Sequence, residues 1–365
     1  MMSTASQALS YIRGISPYLP GKPITQLSRE MGIPQEQIIK LASNENPLGM
    51  SPLARRAIEA ALAGAERYPD QFELIAALAE RHGVTAEQIV LGNGSNDLLD
   101  LVARAFLSAG RSSVVAEYAF AIYALVTEIT GGETIVAAAK HYGHDPVTLL
   151  AAIRPDTRVL WIANPNNPTG TFLPYADVRA LIERIPPHVV VVLDEAYTEY
   201  LPPAERVDSV AWVRDFPNLV VTRTFSKIYG LAGLRVGYAV AQAAVADLMN
   251  RVRQPFNVGN LGLAAALAAL DDHLFLAESY TLNRQGMEQL ISGVKHLGVE
   301  HIPSHGNFIT IAVPDGAAIN QRLLKQGVIV RPLGGYGMPN HLRVTIGRET
   351  ENQRFLASLE KALHG

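Results

Sequence analysis

Near-continuous apolar runs alternate with stretches of helical periodicity through the middle of this chain. Thr157–Ala163, Val189–Leu193, Leu219–Thr222 and Val236–Val240 carry few polar interruptions, which is the mark of strands covered on both faces. Ile89–Leu91 and Ser113–Ala116 predict two further strands. Leu98, Leu99, Leu101, Val102, Ala105 and Phe106 make a wide apolar face on a helix ending near Leu107, and Ala121–Thr130 reads as another helix. Ser51-Pro52 starts a helix reaching about Ala63, and Phe72–Arg81 has helical spacing. Strands alternating with helices imply parallel crossovers. The prediction is an α/β fold with a doubly wound, mostly parallel sheet.

The texture changes after about residue 265. Helices near Leu274–Leu297 and Ala317–Gln326 flank short strands at Phe308–Val313 and Leu342–Ile346. Residues 1–46 read as irregular, with turn signals at Ser16-Pro17 and Leu19-Pro20-Gly21. The expected division is a large domain over 47–265 and a smaller α+β domain built from 1–46 plus 266–365.

Composition narrows the class. Of 365 residues, 48% are hydrophobic and 18% charged, with a net charge of −3, so a soluble globular protein is expected, with no case for nucleic acid or an anionic membrane. The absence of cysteine excludes disulfides, thiol nucleophiles and Cys-based metal sites. His141, His144 and Asp145 are the nearest approach to a ligand set, and no metal is expected. Leu261–Leu270 is too short to span a bilayer. The start, MMSTASQALSYIRG, has no basic segment leading into an apolar run, so a cytoplasmic location is expected.

The suspicious polar clusters sit at strand ends, where ligands collect in open α/β sheets. Gly92-Asn-Gly-Ser95-Asn96 opens a helix whose first N–H groups favour a phosphate; alternatively Ser95 or Asn96 simply caps it. Ala163-Asn-Pro-Asn-Asn-Pro-Thr-Gly170 is a stiff loop in which Asn167 offers an amide to the cleft, although loops also collect asparagine. Asp194 ends an apolar strand and needs a partner: the next turn, or a pyridinium N–H, with Tyr197 three residues on. Val220–Gly237 carries Ser226-Lys227 and Arg235, with Gly230 and Gly233 expected to let the backbone bend closely. Lysine is scarce, seven against twenty-four arginines. Lys227 is either a loop lysine or an amine of lowered pKa fit to attack a carbonyl. Thr224, Ser226 and Arg235 could hold a phosphate. Phe120 or Tyr118 could stack on a planar ring. Arg331 and Arg343, among apolar neighbours, either pair with acids or clamp an anionic substrate.

In this order the motifs resemble the pyridoxal-phosphate-dependent aminotransferases of the aspartate aminotransferase fold, fold type I. The resemblance covers nearly the whole chain. It is nearest to the branch acting on histidinol phosphate, through Ser16-Pro-Tyr-Leu-Pro-Gly21, Leu41-Ala-Ser-Asn-Glu-Asn-Pro47, Arg67-Tyr-Pro-Asp70, Phe225–Arg235 and Val330-Arg-Pro332. It implies that Lys227 bonds the cofactor aldehyde and then acts as base, and that Asp194 pairs with the ring nitrogen. Asn167 and Tyr197 would bind the ring oxygen. Ser95, Asn96, Thr224, Ser226 and Arg235 would surround the phosphate. Arg331 and Arg343 would take the anionic end of the substrate, with Tyr18, Asn44 and Asn307 lining its cavity. Tyr68 would reach the neighbouring subunit of a homodimer. The stacking aromatic departs from the family pattern, and the spacing back from Gly131 favours Phe120. The implied reaction is ping-pong exchange between L-histidinol phosphate and 2-oxoglutarate, in histidine biosynthesis. An aromatic amino-acid aminotransferase, an amino-acid-phosphate decarboxylase with the same cofactor, and a non-catalytic binding protein are the rivals.

Overall fold

The apolar runs become the middle of a sheet covered on both sides. The structure is a computed structural model describing residues 4–18 and 20–364; Leu19 of the expected turn and residues 1–3 of the opening stretch lie outside the described residues. Its strands are β1 (Ile39–Lys40), β2 (Ile89–Asn93), β3 (Ser112–Ala116), β4 (Glu133–Ala137), β5 (Thr157–Ala163), β6 (Val190–Asp194), β7 (Leu219–Thr224), β8 (Val236–Ala241), β9 (His301–Ile302), β10 (Phe308–Ala312), β11 (Val328–Ile329), β12 (Arg331–Pro332) and β13 (His341–Thr345). Seven of them form one sheet in the order β2-β8-β7-β6-β5-β3-β4. Val191, Val192 and Leu193 are fully buried at its centre, each side chain contributing about 1.5–3 kcal/mol relative to exposure.

The pairs β3/β4, β3/β5, β5/β6 and β6/β7 are parallel. β8 corrects the expectation of parallel crossovers throughout: it runs antiparallel to both β7 and β2. The stretch from β7 to β8 contains one short 3-10 helix, Ala232–Leu234, and no crossover helix that would return the chain in the same direction. This irregular turn is where Ser226, Lys227 and Arg235 reside. Gly230 is required in it. Its φ is +70°, and a Cβ there would lie 1.9 Å from the carbonyl oxygen of Gly49. Gly233 is not, since a Cβ would meet nothing within 4 Å.

A second sheet, β12-β13-β10-β9, is antiparallel throughout. It has its own apolar cluster with Met287, Leu290, Phe355 and Leu359, from helices His273–His296 and Glu349–His364. β1 pairs with β11 in parallel. The N-terminal segment is more regular than expected, with helices at Ser10–Gly14 and Ile24–Met31. Among the described residues no single helix is long and apolar enough to cross a membrane.

Candidate active site

One cavity gathers most of the predicted residues. Ser95, Asn96, Phe120, Asn167, Asp194, Tyr197, Thr224, Ser226, Lys227, Arg235, Arg331, Arg343, Tyr18 and Asn44 all line it. Two predicted residues do not. Asn307 is buried behind the lining, where its Nδ2 donates to Asn44 O at 3.0 Å. Tyr68 is 80% exposed and stacks on Phe256, with centroids 4.5 Å apart. Phe120 lines the cavity whereas Tyr118 does not; Tyr118 packs near Tyr142 instead.

At one end lies an anion cradle. The helix Ser95–Phe106 begins directly after Gly94, so Ser95 and Asn96 occupy its first turn rather than capping it, and their N–H groups have no acceptor within the helix. Arg235 donates to Ser226 Oγ at 3.2 Å, and Thr224 Oγ1 accepts from the Ser226 N–H at 3.1 Å. A Cβ on Gly94 would come within 2.3 Å of the Arg235 guanidinium. Glycine is what allows that cation to stand against the helix start, where dipole and charge together favour a phosphate.

At the centre, Asp194 ends β6. Tyr123 donates to its Oδ2 at 2.8 Å and Thr222 to its Oδ1 at 3.1 Å. Burial pushes the Asp194 carboxyl above its ordinary range, while these two donors pull the other way. The carboxylate is therefore hydrogen-bonded and has no salt-bridge partner among the described residues. A ring N–H⁺ is the partner that such a buried acid lacks. Tyr123 was not foreseen; its ring stacks on Trp161 at 5.3 Å, and only the fold brings its hydroxyl to Asp194.

Lys227 Nζ donates to Ser43 O at 3.2 Å and lies 5.7 Å from the centre of the Tyr197 ring. Burial, and next the charge of Arg343, push its amine down to about 8. A neutral, nucleophilic fraction is thus present near neutral pH. Asn164 and Asn166 stitch their own loop, Asn164 to Leu173 and Asn166 to Thr169 and Tyr118 O. Asn167 alone of the three faces the cavity.

The other end is cationic. Arg343 donates to Asn167 Oδ1 and, at 2.8 Å, to Ala42 O. With its oxygen occupied, Asn167 keeps its NH₂ hydrogens for the cavity. Arg343 Nε is buried with no partner, and burial holds the guanidinium below its ordinary pKa. Both observations suit an anionic ligand more than a structural ion pair. The guanidinium carbon of Arg331 sits 5.4 Å from the Tyr18 ring centre. Glu195, beside Asp194, is part of a different system: it accepts from Arg223, Tyr175 and Ser209. His144 accepts from the Ala163 N–H, and Asp145 caps the helix Pro146–Ala151. Among the described residues no group of three or more His, Cys, Asp or Glu could hold a metal.

The residues present fit pyridoxal phosphate. A glycine-dependent anion cradle, an unneutralised buried acid and a buried amine share one cavity.

Residues 36–359 match the family model of aminotransferase class I and II. The chain is 71% identical over 362 residues to histidinol-phosphate aminotransferase 1 of Dechloromonas aromatica, covering 99% of this chain and all of that protein. It is 59% identical to histidinol-phosphate aminotransferase 2 of Nitrosospira multiformis, over 99% of this chain and 93% of the relative. In three dimensions it is similar to the histidinol-phosphate aminotransferase of Sinorhizobium meliloti in complex with pyridoxal-5'-phosphate. That match has a TM-score of 0.92 at 27% identity and covers 100% of this chain and 99% of that one.

Proposed function

Since the chain belongs to the class I and II aminotransferases, we propose that it moves an amino group from L-histidinol phosphate to 2-oxoglutarate. The products are imidazole acetol phosphate and glutamate. The observation that carries this reading is the pairing, in one cavity, of the Lys227 amine with the Asp194 carboxylate, between an anion cradle and two guanidinium groups.

Pyridoxal phosphate, when bound, supplies an aldehyde that takes up the amino group and a conjugated ring that accepts the electron pair left on Cα. The chain's residues do the rest. The first turn of helix Ser95–Phe106, with Thr224, Ser226 and Arg235, binds the phosphate. Phe120, in the cavity lining, would stack on the ring. Asp194, hydrogen-bonded by Tyr123 and Thr222, would hold a proton on the ring nitrogen and so strengthen the electron sink. Asn167 and Tyr197 donate to the ring oxygen. Lys227 would be the residue that anchors the group through its amine. Its amine would also be the base that takes the proton from the substrate's Cα. Arg331 and Arg343 orient the anionic end of the substrate.

Histidinol phosphate has no carboxylate, so its phosphate must use the site that glutamate fills with a carboxylate. Arg343→Ala is accordingly expected to weaken both half-reactions, raising KM for each partner about 30-fold or more, as losing a buried charged contact costs about 2–5 kcal/mol. Single-turnover kinetics with each substrate tests this; a defect confined to glutamate would separate the two anion sites. An aromatic amino-acid aminotransferase is the second reading, since the cavity also carries Tyr18 and Phe120. A panel of phenylalanine, histidinol phosphate and an amino-acid phosphate, followed by cofactor absorbance, separates the donors, and carbon dioxide release would mark a decarboxylase.

The same reading divides the chain into a large domain over 47–265 and a small one from 1–46 plus 266–365. Separate sheets over 89–241 and 301–345 support it, as does the pairing of β1 with β11. A homodimer is part of it as well. Tyr68, Phe72 and Phe256 are 80%, 68% and 52% exposed, an aromatic group of the kind that interfaces cover, and Tyr68 would then reach the neighbouring subunit's site. Sedimentation is expected to give twice the mass of one chain, and Tyr68→Ala to lower cofactor affinity. A monomer with full activity contradicts it.

A further inference from the structure

Three consecutive residues each hold one functional side chain of the cavity. Ala42 O accepts from Arg343 Nη2 at 2.8 Å, Ser43 O accepts from Lys227 Nζ at 3.2 Å, and Asn44 Nδ2 donates to Tyr197 Oη at 2.9 Å. Asn44 is 1% exposed and stands in the left-handed region at φ 55°. Asparagine adopts that conformation more readily than most non-glycine residues, and surrounding contacts can over-determine it. Here they do. The Asn44 N–H donates to Thr345 Oγ1 at 2.9 Å, Thr345 Oγ1 lies 3.1 Å from Asn44 Oδ1, and Asn307 grips the Asn44 carbonyl.

The three bonds have a consistent direction. Thr345 Oγ1 accepts from the Asn44 N–H and gives its one hydrogen to Asn44 Oδ1. In that arrangement the carboxamide has its NH₂ toward Tyr197. The Tyr197 oxygen then accepts, and its own hydrogen is left for another acceptor. We propose that Asn44 is a positioning residue for Tyr197 rather than a substrate ligand: it turns the phenol hydrogen toward the cavity. This rests on the reading above, in which the acceptor there is the ring oxygen of pyridoxal phosphate. Lys227, Asp194, Arg343 and Tyr336 also face Tyr197 and are left intact in the variants below.

A hydrogen donated to the ring oxygen favours the form with most negative charge on it, which is the high-pH form. Losing that donor therefore moves the pH midpoint of the cofactor's visible absorbance upward. Asn44→Gly removes the carboxamide while tolerating the left-handed backbone. With the protein loaded with pyridoxal phosphate, it is expected to raise the midpoint by about one unit, in the same direction as Tyr197→Phe. The double variant is expected to match Tyr197→Phe alone, since the two residues act as one unit. Asn44→Asp keeps an acceptor for Thr345 but offers Tyr197 an acceptor in place of a donor, and is expected to raise the midpoint at least as far. An unmoved midpoint in both Asn44 variants, or an effect additive to Tyr197→Phe, overturns the inference while leaving the aminotransferase reading intact. A wild-type protein that develops no cofactor band overturns both.

Discussion

Lys227→Ala is expected to remove turnover, to below about 10⁻⁴ of the wild-type rate, because in the proposed reaction one side chain supplies both the covalent anchor and the base. The fold is expected to survive, and to gain from the loss of a buried ammonium. In the free protein burial holds this amine down to about 8, against 10.5 for ordinary lysine. Below pH 8 folded and unfolded chains both carry the proton, and the folded state bears the full cost of burying it. Between about 8 and 10.5 only the unfolded chain keeps the proton, so stability rises with pH across that window. At pH 7 the cofactor-free Lys227→Met variant, which fills the space with an uncharged chain, should therefore be more stable than wild type by about 1–3 kcal/mol. Urea melts at pH 7 and pH 10.5 measure this. A gain at pH 7 that shrinks at pH 10.5 fits a desolvated amine; equal stabilities at both values point to a solvated one.

Asp194→Asn is the second large effect. The substitution keeps the shape; one of Tyr123 and Thr222 can still donate to the remaining oxygen and the other hydroxyl can turn to accept from the new NH₂, so the protein should fold and bind cofactor. What goes is the negative charge that the proposed reaction sets against the ring nitrogen. Proton transfer at Cα should slow by about 10²–10³-fold or more, about 3–4 kcal/mol in barrier. Stopped-flow measurement of the donor half-reaction reads that step directly. An unchanged rate would mean that the acid is structural.

Much of this arrangement was legible because each strand end carried its own polar signature. The run Val189–Leu193 announced a buried strand, and the acid following it had to meet something. The same held for Ser226-Lys227 after Leu219–Thr222. The direction of β8 was not legible, since an apolar run has no polarity of its own, although the lack of a helical pattern between Lys227 and Val236 was a hint. Helix Ile24–Met31 was missed despite Ile24, Leu27 and Met31 at helical spacing after a proline. Helix Glu349–His364 was missed despite Phe355, Leu359 and Ala362 on one face. Tyr123 carried no local signal, because a phenol beside an acid 71 residues away exists only once β6 and the helix Ile122–Ile129 are packed. The holding role of Ala42 and Ser43 is further from reach. Their carbonyl oxygens act, and every residue has one.

The covalent link is the point at which the account is most exposed. Holoprotein reduced with borohydride and digested should yield a single peptide bearing a pyridoxyl group, with the mass increment on Lys227. Increment on any of the other six lysines, or none at all, would contradict it.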